Sequence, residues 1–168
     1  MPVSAANSST FQRTTPSDTD ITLTRVFDAP RQLVFEAMTK PEHVRRWWGI
    51  LDERYSVTLC EIDLRPGGRW RFVGRGPMGE VAFRGVYREV APPERLVYTE
   101  TYEAFPDGES IVTQLLTEEG TKTRLTITAR YESKDVRDYV LGTGMESGAA
   151  ISYDRLEDVV TEMLKAEG

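Results

Sequence analysis

Apolar and polar residues alternate with a period of two through most of the chain, most clearly from Leu64 to Tyr102. There Arg65-Pro66-Gly67-Gly68 leads into Arg69-Trp70-Arg71-Phe72. Phe83-Arg84-Gly85-Val86-Tyr87-Arg88-Glu89 then runs towards Pro92-Pro93, and Arg95-Leu96-Val97-Tyr98 follows. This period belongs to antiparallel strands with one face covered and the other wet. It predicts a first strand from Asp20, with Ile21, Leu23, Arg25 and Phe27 on one side. Six more are expected at Ser56–Leu64, Gly68–Gly74, Val81–Val90, Arg95–Ala104, Ser110–Glu118 and Thr121–Tyr131. The links contain Gly67-Gly68, Gly74 to Gly79, Pro92-Pro93, Pro106-Asp107-Gly108 and Glu119-Gly120. They are short and turn-forming, so consecutive strands form a meander.

Helical spacing interrupts the alternation twice. Asp28 is the expected N-cap of a helix with Pro30 in its first turn and an apolar stripe of Val34, Phe35 and Met38. Pro41 starts a second short helix that ends at Trp47-Trp48-Gly49. After a partly helical stretch from Ser133 to Gly144, the last element runs from Met145 to Lys165. Its stripe is Ala149, Ser152, Leu156, Val159, Val160 and Met163, while Glu146, Asp154, Arg155, Glu157, Asp158 and Glu162 are expected outside. A long amphipathic helix after a curved meander rests across the concave face. A gap left by the two short helices would open a cavity there.

The first 19 residues are rich in Ser, Thr, Ala and Pro with one aromatic, Phe11, and read as a mobile tail before one domain over residues 20–166. Cys60 is the one cysteine, which excludes an internal disulfide and suits a reducing cytoplasm, the expected location. The net charge of −6 argues against nucleic acid or an anionic membrane as a partner. No apolar run approaches the ~20 residues needed to span a bilayer. No secretory signal is visible, so the Asn7-Ser8-Ser9 sequon is expected to be idle.

The candidate chemistry is sparse. Gly74-Arg75-Gly76-Pro77-Met78-Gly79 fits a dinucleotide-binding pattern, but strands on both sides make it a hairpin loop rather than a phosphate cradle. His43 and Cys60 have nothing to orient one against the other, and they make no zinc cluster; no metal, cofactor or catalytic residue is assigned. Trp70, Phe72, Phe83, Tyr87, Tyr98 and Tyr102 share one face of the sheet and serve as core or as cavity wall. Of Trp47 and Trp48, one is expected as a core plug and the other at the pocket mouth. Met145 and Gly148 begin the last helix beside that space. Arg69, Arg71 and Arg84 are expected in an outer ladder with Glu80, Glu89 and Glu100; a register slip of one would turn those charges inward. Glu100, Glu61 and Asp63 are the candidate general bases, with Tyr98 or Tyr102 as donors.

Taken together, Asp28-Ala29-Pro30, Trp47-Trp48, Arg65-Pro66-Gly67-Gly68, Pro92-Pro93-Glu94-Arg95-Leu96 and Gly144-Met145-Glu146-Ser147-Gly148 leading to Tyr153-Asp154-Arg155-Leu156 resemble the Hsp90-ATPase-activator-homologue branch of the START-like (Bet v 1-like) superfamily. The resemblance spans Asp20 to Leu164. It implies an α+β helix-grip fold, a seven-stranded curved antiparallel sheet wrapped around a long C-terminal helix, with two short helices after the first strand. It also implies binding of an apolar or aromatic small molecule, lipid- or polyketide-like, between sheet and helix. Trp47, Trp48, Trp70, Phe72, Phe83, Tyr87, Tyr98, Tyr102, Met145 and Gly148 are the expected ligand-binding residues. The alternatives are a cyclase, dehydratase or hydrolase on the same scaffold, or a co-chaperone-like interaction module with a chaperone partner. Homodimerisation fits a compact domain of this size.

Overall fold

The computed structural model describes residues 10–167. One antiparallel sheet contains β1 (Gln12–Thr14), β2 (Asp20–Phe27), β3 (Ser56–Ile62), β4 (Arg69–Gly76), β5 (Gly79–Ala91), β6 (Arg95–Tyr102), β7 (Glu109–Glu119) and β8 (Lys122–Arg130). The helices α1 (Arg31–Thr39) and α2 (Pro41–Trp47) lie between β2 and β3, and α3 (Lys134–Leu141) and α4 (Met145–Glu167) follow β8. The spatial order is β1-β2-β8-β7-β6-β5-β4-β3. β3 to β8 is thus a meander whose last strand pairs with β2, while α1 and α2 carry the chain across to the far edge. The α+β helix-grip fold is the result. Two register shifts, between Val57 and Leu59 and between Tyr87 and Glu89, bend the strands around the helix.

The sheet has eight strands where seven are expected. The additional one, β1, falls in the segment expected to be a mobile tail. It pairs Gln12 with Thr24 and Thr14 with Thr22 at the edge of β2. Three contacts hold it there. The Val26 amide donates to Thr10 Oγ1 at 2.9 Å, the Phe11 ring sits 6.2 Å from that of Tyr153, and Arg13 pairs with Glu146 at 2.9 Å. The first nine residues of the expected tail, with the Asn7 sequon, lie outside the described residues.

Asp28 is not the N-cap of α1. That place belongs to Pro30, whose carbonyl accepts from the Leu33 and Val34 amides. Asp28 stands two residues too early, and its amide donates to Glu157 Oε2 at 3.1 Å. The N-cap of α3 is Ser133, whose side chain accepts from the Val136 amide.

The two halves of α4 meet different surroundings. Leu156, Val159 and Val160 are buried in a core shared with Phe27, Val34, Phe35 and Val44. Glu157, expected on the outer face, is only 2% exposed. Its partner is Arg25, 1% exposed, which shares the inward side of β2 with Ile21, Leu23 and Phe27. The guanidinium stands 3.7 Å from Glu157 and also pairs with Asp154. An arginine in an apolar row must bring an acid in with it, and α4 supplies that acid. No described helix is long and apolar enough to cross a membrane.

Candidate ligand cavity

Strand alternation and register assemble the inner wall. Phe72 pairs with Phe83, Phe83 with Tyr102, and Tyr87 with Tyr98, so aromatic rings line up across β4, β5 and β6. Phe83 stacks on Tyr102 at 5.0 Å between centroids, and Trp70 meets Tyr98 edge-on at 5.5 Å. Trp70 lies opposite Gly85 in the register. A Cβ at Gly85 would stand 1.7 Å from the Thr99 carbonyl oxygen and 2.5 Å from the Trp70 indole nitrogen. Only a glycine leaves room for the indole N–H to donate to that carbonyl, at 3.2 Å.

Between this wall and the first half of α4 lies a cavity of about 1350 Å³. From the helix it is lined by Met145, Gly148, Ala149, Ser152 and Tyr153. Leu156 and the residues beyond it seal the far end as solid core. The open end is marked by large apolar lining residues that are also exposed: Met78 on the β4–β5 turn, Val81 early in β5, Phe105 after β6 and Tyr139 on α3. The Phe105 and Tyr139 rings approach to 6.0 Å across that opening.

All ten positions expected at a ligand site line this cavity. The two adjacent tryptophans take different places. Trp47 is 6% exposed, donates its indole N–H to the Ala37 carbonyl at 2.9 Å and plugs the core beside Tyr153. Trp48 is half-buried, with its ring edge-on to Phe72 at 5.3 Å and Phe83 at 5.7 Å. The glycine-rich stretch is the β4–β5 hairpin, closed by the Gly76–Gly79 pair with Gly79 at a φ of 107°.

The outer charge ladder differs from expectation in its acids. Arg71 grips Glu103 through two hydrogen bonds of 2.7 and 2.9 Å, with Arg84 at 3.8 Å. Glu80 faces Arg75 and Glu89 faces Arg95. Glu100 is not in the ladder. It points into the cavity between Tyr98 and Tyr102, opposite Ser110 on β7. The surface it retains opens on the cavity, and among the described residues none hydrogen-bonds or ion-pairs with its carboxyl. Burial raises that carboxyl from an ordinary value of 4.5 to about 7.

Glu61 and Asp63 do not join it. Both are exposed on the outer face, Asp63 paired with Arg65 at 3.0 Å. Burial pushes the Tyr98 phenol well up, and Tyr131 and Tyr153 move the same way with the nearby Glu100 charge adding to it. The Tyr98 hydroxyl accepts from Gln114 Nε2 at 2.7 Å. Gln114 Oε1 is left buried with no hydrogen-bond partner. Gln114 was not singled out in the sequence, although its place two residues beyond Val112 on β7 puts it on the inner face. Cys60 is buried on β3, and its thiol is raised to about 11, away from nucleophilic use.

Comparison with known proteins bears on this architecture. A Rhodobacter sphaeroides crystal structure superposes with a TM-score of 0.82 at 25% identity, covering 90% of this chain and 98% of that one. A Mycobacterium smegmatis structure gives 0.79 at 26% identity, over 88% and 94%. A Nitrosomonas europaea structure, 24% identical, shares the fold with a TM-score of 0.78 over 90% and 99%. No curated protein matches the chain. The family described as Activator of Hsp90 ATPase homolog 1-like protein matches residues 28–161, from the turn before α1 to the last buried turns of α4. With its order of strands and helices, the chain belongs to that family, within the START/Bet v 1-like superfamily.

Proposed function

We propose that this protein binds an apolar or aromatic small molecule in the cavity beneath the first half of α4. The observation that carries this reading is the unfilled space itself. A core meant only for stability is packed to crystal-like density, yet about 1350 Å³ stands open under the aromatic wall. Binding would draw on apolar surface removed from water, at about 25 cal/mol per Å². The buried hydroxyl, amide and carboxyl groups would set orientation.

Native mass spectrometry of the gently purified protein tests it. The expected result is an added mass that is lost on denaturation and extracted by organic solvent. Gly148→Trp should reduce that mass without unfolding the protein, because a Cβ at Gly148 meets nothing nearer than Leu51 at 4.0 Å. An added mass that the substitution leaves unchanged would place the ligand elsewhere.

A second reading, an enzyme of the cyclase, dehydratase or hydrolase type, is favoured by one observation. Glu100 is an inward carboxyl raised to about 7, close to two tyrosines on its own strand, a setting suited to general acid–base work. Incubating the extracted compound with ligand-free protein separates the two readings, since only an enzyme would change its mass. The co-chaperone-like reading rests on family membership alone.

A further inference from the structure

The chemistry of the cavity's polar groups narrows the kind of molecule that fits. Glu100 stands inside with no cation beside it among the described residues. Towards the opening the lining adds Asp107, Glu109, Glu132 and Asp135 against one cation, Arg75, which already faces Glu80 at 3.9 Å on the outer side. A cleft of one sign between low-dielectric walls concentrates ions of the other sign. Deeper in, Gln114 is 9% exposed, and its Oε1 is an acceptor without a donor. The lining is thus rich in hydroxyls but short of positive charge, and a cationic guest supplies what is missing.

Resting on the cavity reading above, we propose that the occupant is an apolar molecule bearing a basic nitrogen, whose ammonium group pairs with Glu100. An ammonium carries a charge opposite to the carboxylate and up to three N–H donors. Charge-assisted hydrogen bonds of this kind are the stronger class. The aromatic wall takes the apolar body, and the π-faces of Tyr98 and Tyr102, which flank Glu100, tolerate a cation. A carboxylate ligand would instead meet Glu100 and the acidic rim as like charges. A neutral ligand would leave the ionised form of Glu100 without a counter-ion.

Calorimetric titration with decylamine, 1-decanol and decanoate, which share a chain and differ in headgroup, tests this on the wild-type protein. The expected ranking is amine over alcohol over acid, with the amine about tenfold or more tighter than the alcohol. Glu100→Gln should erase the advantage of the amine while retaining the alcohol. Glu61→Gln, on the outer face, should leave the ranking intact. Equal affinities, or preference for decanoate, would overturn the proposal and leave the cavity reading standing. Binding by none of the three would overturn both. The wild-type ranking decides by itself, whatever the folding of either variant.

Discussion

Glu100 couples the cavity to proton uptake. Its carboxyl is raised from 4.5 to about 7 by burial. Between those values the native chain therefore keeps a proton that the unfolded chain has released. Stability falls with rising pH wherever the native state binds more protons. The contribution of Glu100 is present in full below about pH 4.5 and is lost as pH rises to about 7. The full loss is on the order of 3 kcal/mol. Glu100→Gln cannot titrate, so its stability should match wild type at low pH and exceed it above neutrality. Denaturant midpoints for both proteins, measured from pH 4.5 to 8, check this; parallel curves would count against it. The inward position of Glu100 was present in the alternation, because Tyr98, Glu100 and Tyr102 share one parity. The expectation that strand carboxylates seek water pointed the other way, and neighbouring apolar walls outweighed it.

The C-terminal helix is fixed to the sheet by a charge as well as by apolar packing. Arg25 and Glu157 are both almost fully buried, and the Glu157 carboxylate also receives the Asp28 amide. Removing Glu157 takes a buried counter-charge from Arg25, which keeps its pairing with the more exposed Asp154. Glu157→Ala is expected to cost about 3 kcal/mol. The double variant Arg25→Met, Glu157→Leu should recover most of that loss, since apolar groups of similar volume commonly replace a buried pair without penalty. Equilibrium denaturation of the single and double variants measures both effects. If the losses simply add, the pair is not coupled. The helical stripe of α4 was legible from Leu156, Val159 and Val160. Glu157 was not, because it borders that stripe and its burial depends on an arginine more than a hundred residues earlier in sequence. The signal was Arg25 itself, set among Ile21, Leu23 and Phe27.

Sheet, helix and edge strand close around the hollow as a unit. The fold class and element order were readable because turn pairs and period-two alternation are local signals. β1 was not, since its short run in a Ser- and Thr-rich segment becomes a strand only against the edge of β2. Phe11, immediately before β1, packs on Tyr153, a residue that also lines the cavity. Phe11→Ala should therefore lower stability by about 1–2 kcal/mol, seen as an earlier thermal midpoint. An unchanged midpoint would show that the strand adds nothing to the closed form.

The placing of the tryptophans has an optical consequence. All three in the chain, Trp47, Trp48 and Trp70, border the same cavity. No indole stands elsewhere to dilute the signal. Any guest that displaces water from the cavity changes the surroundings of these fluorophores together, so the protein's ultraviolet emission reports its own occupancy without a label.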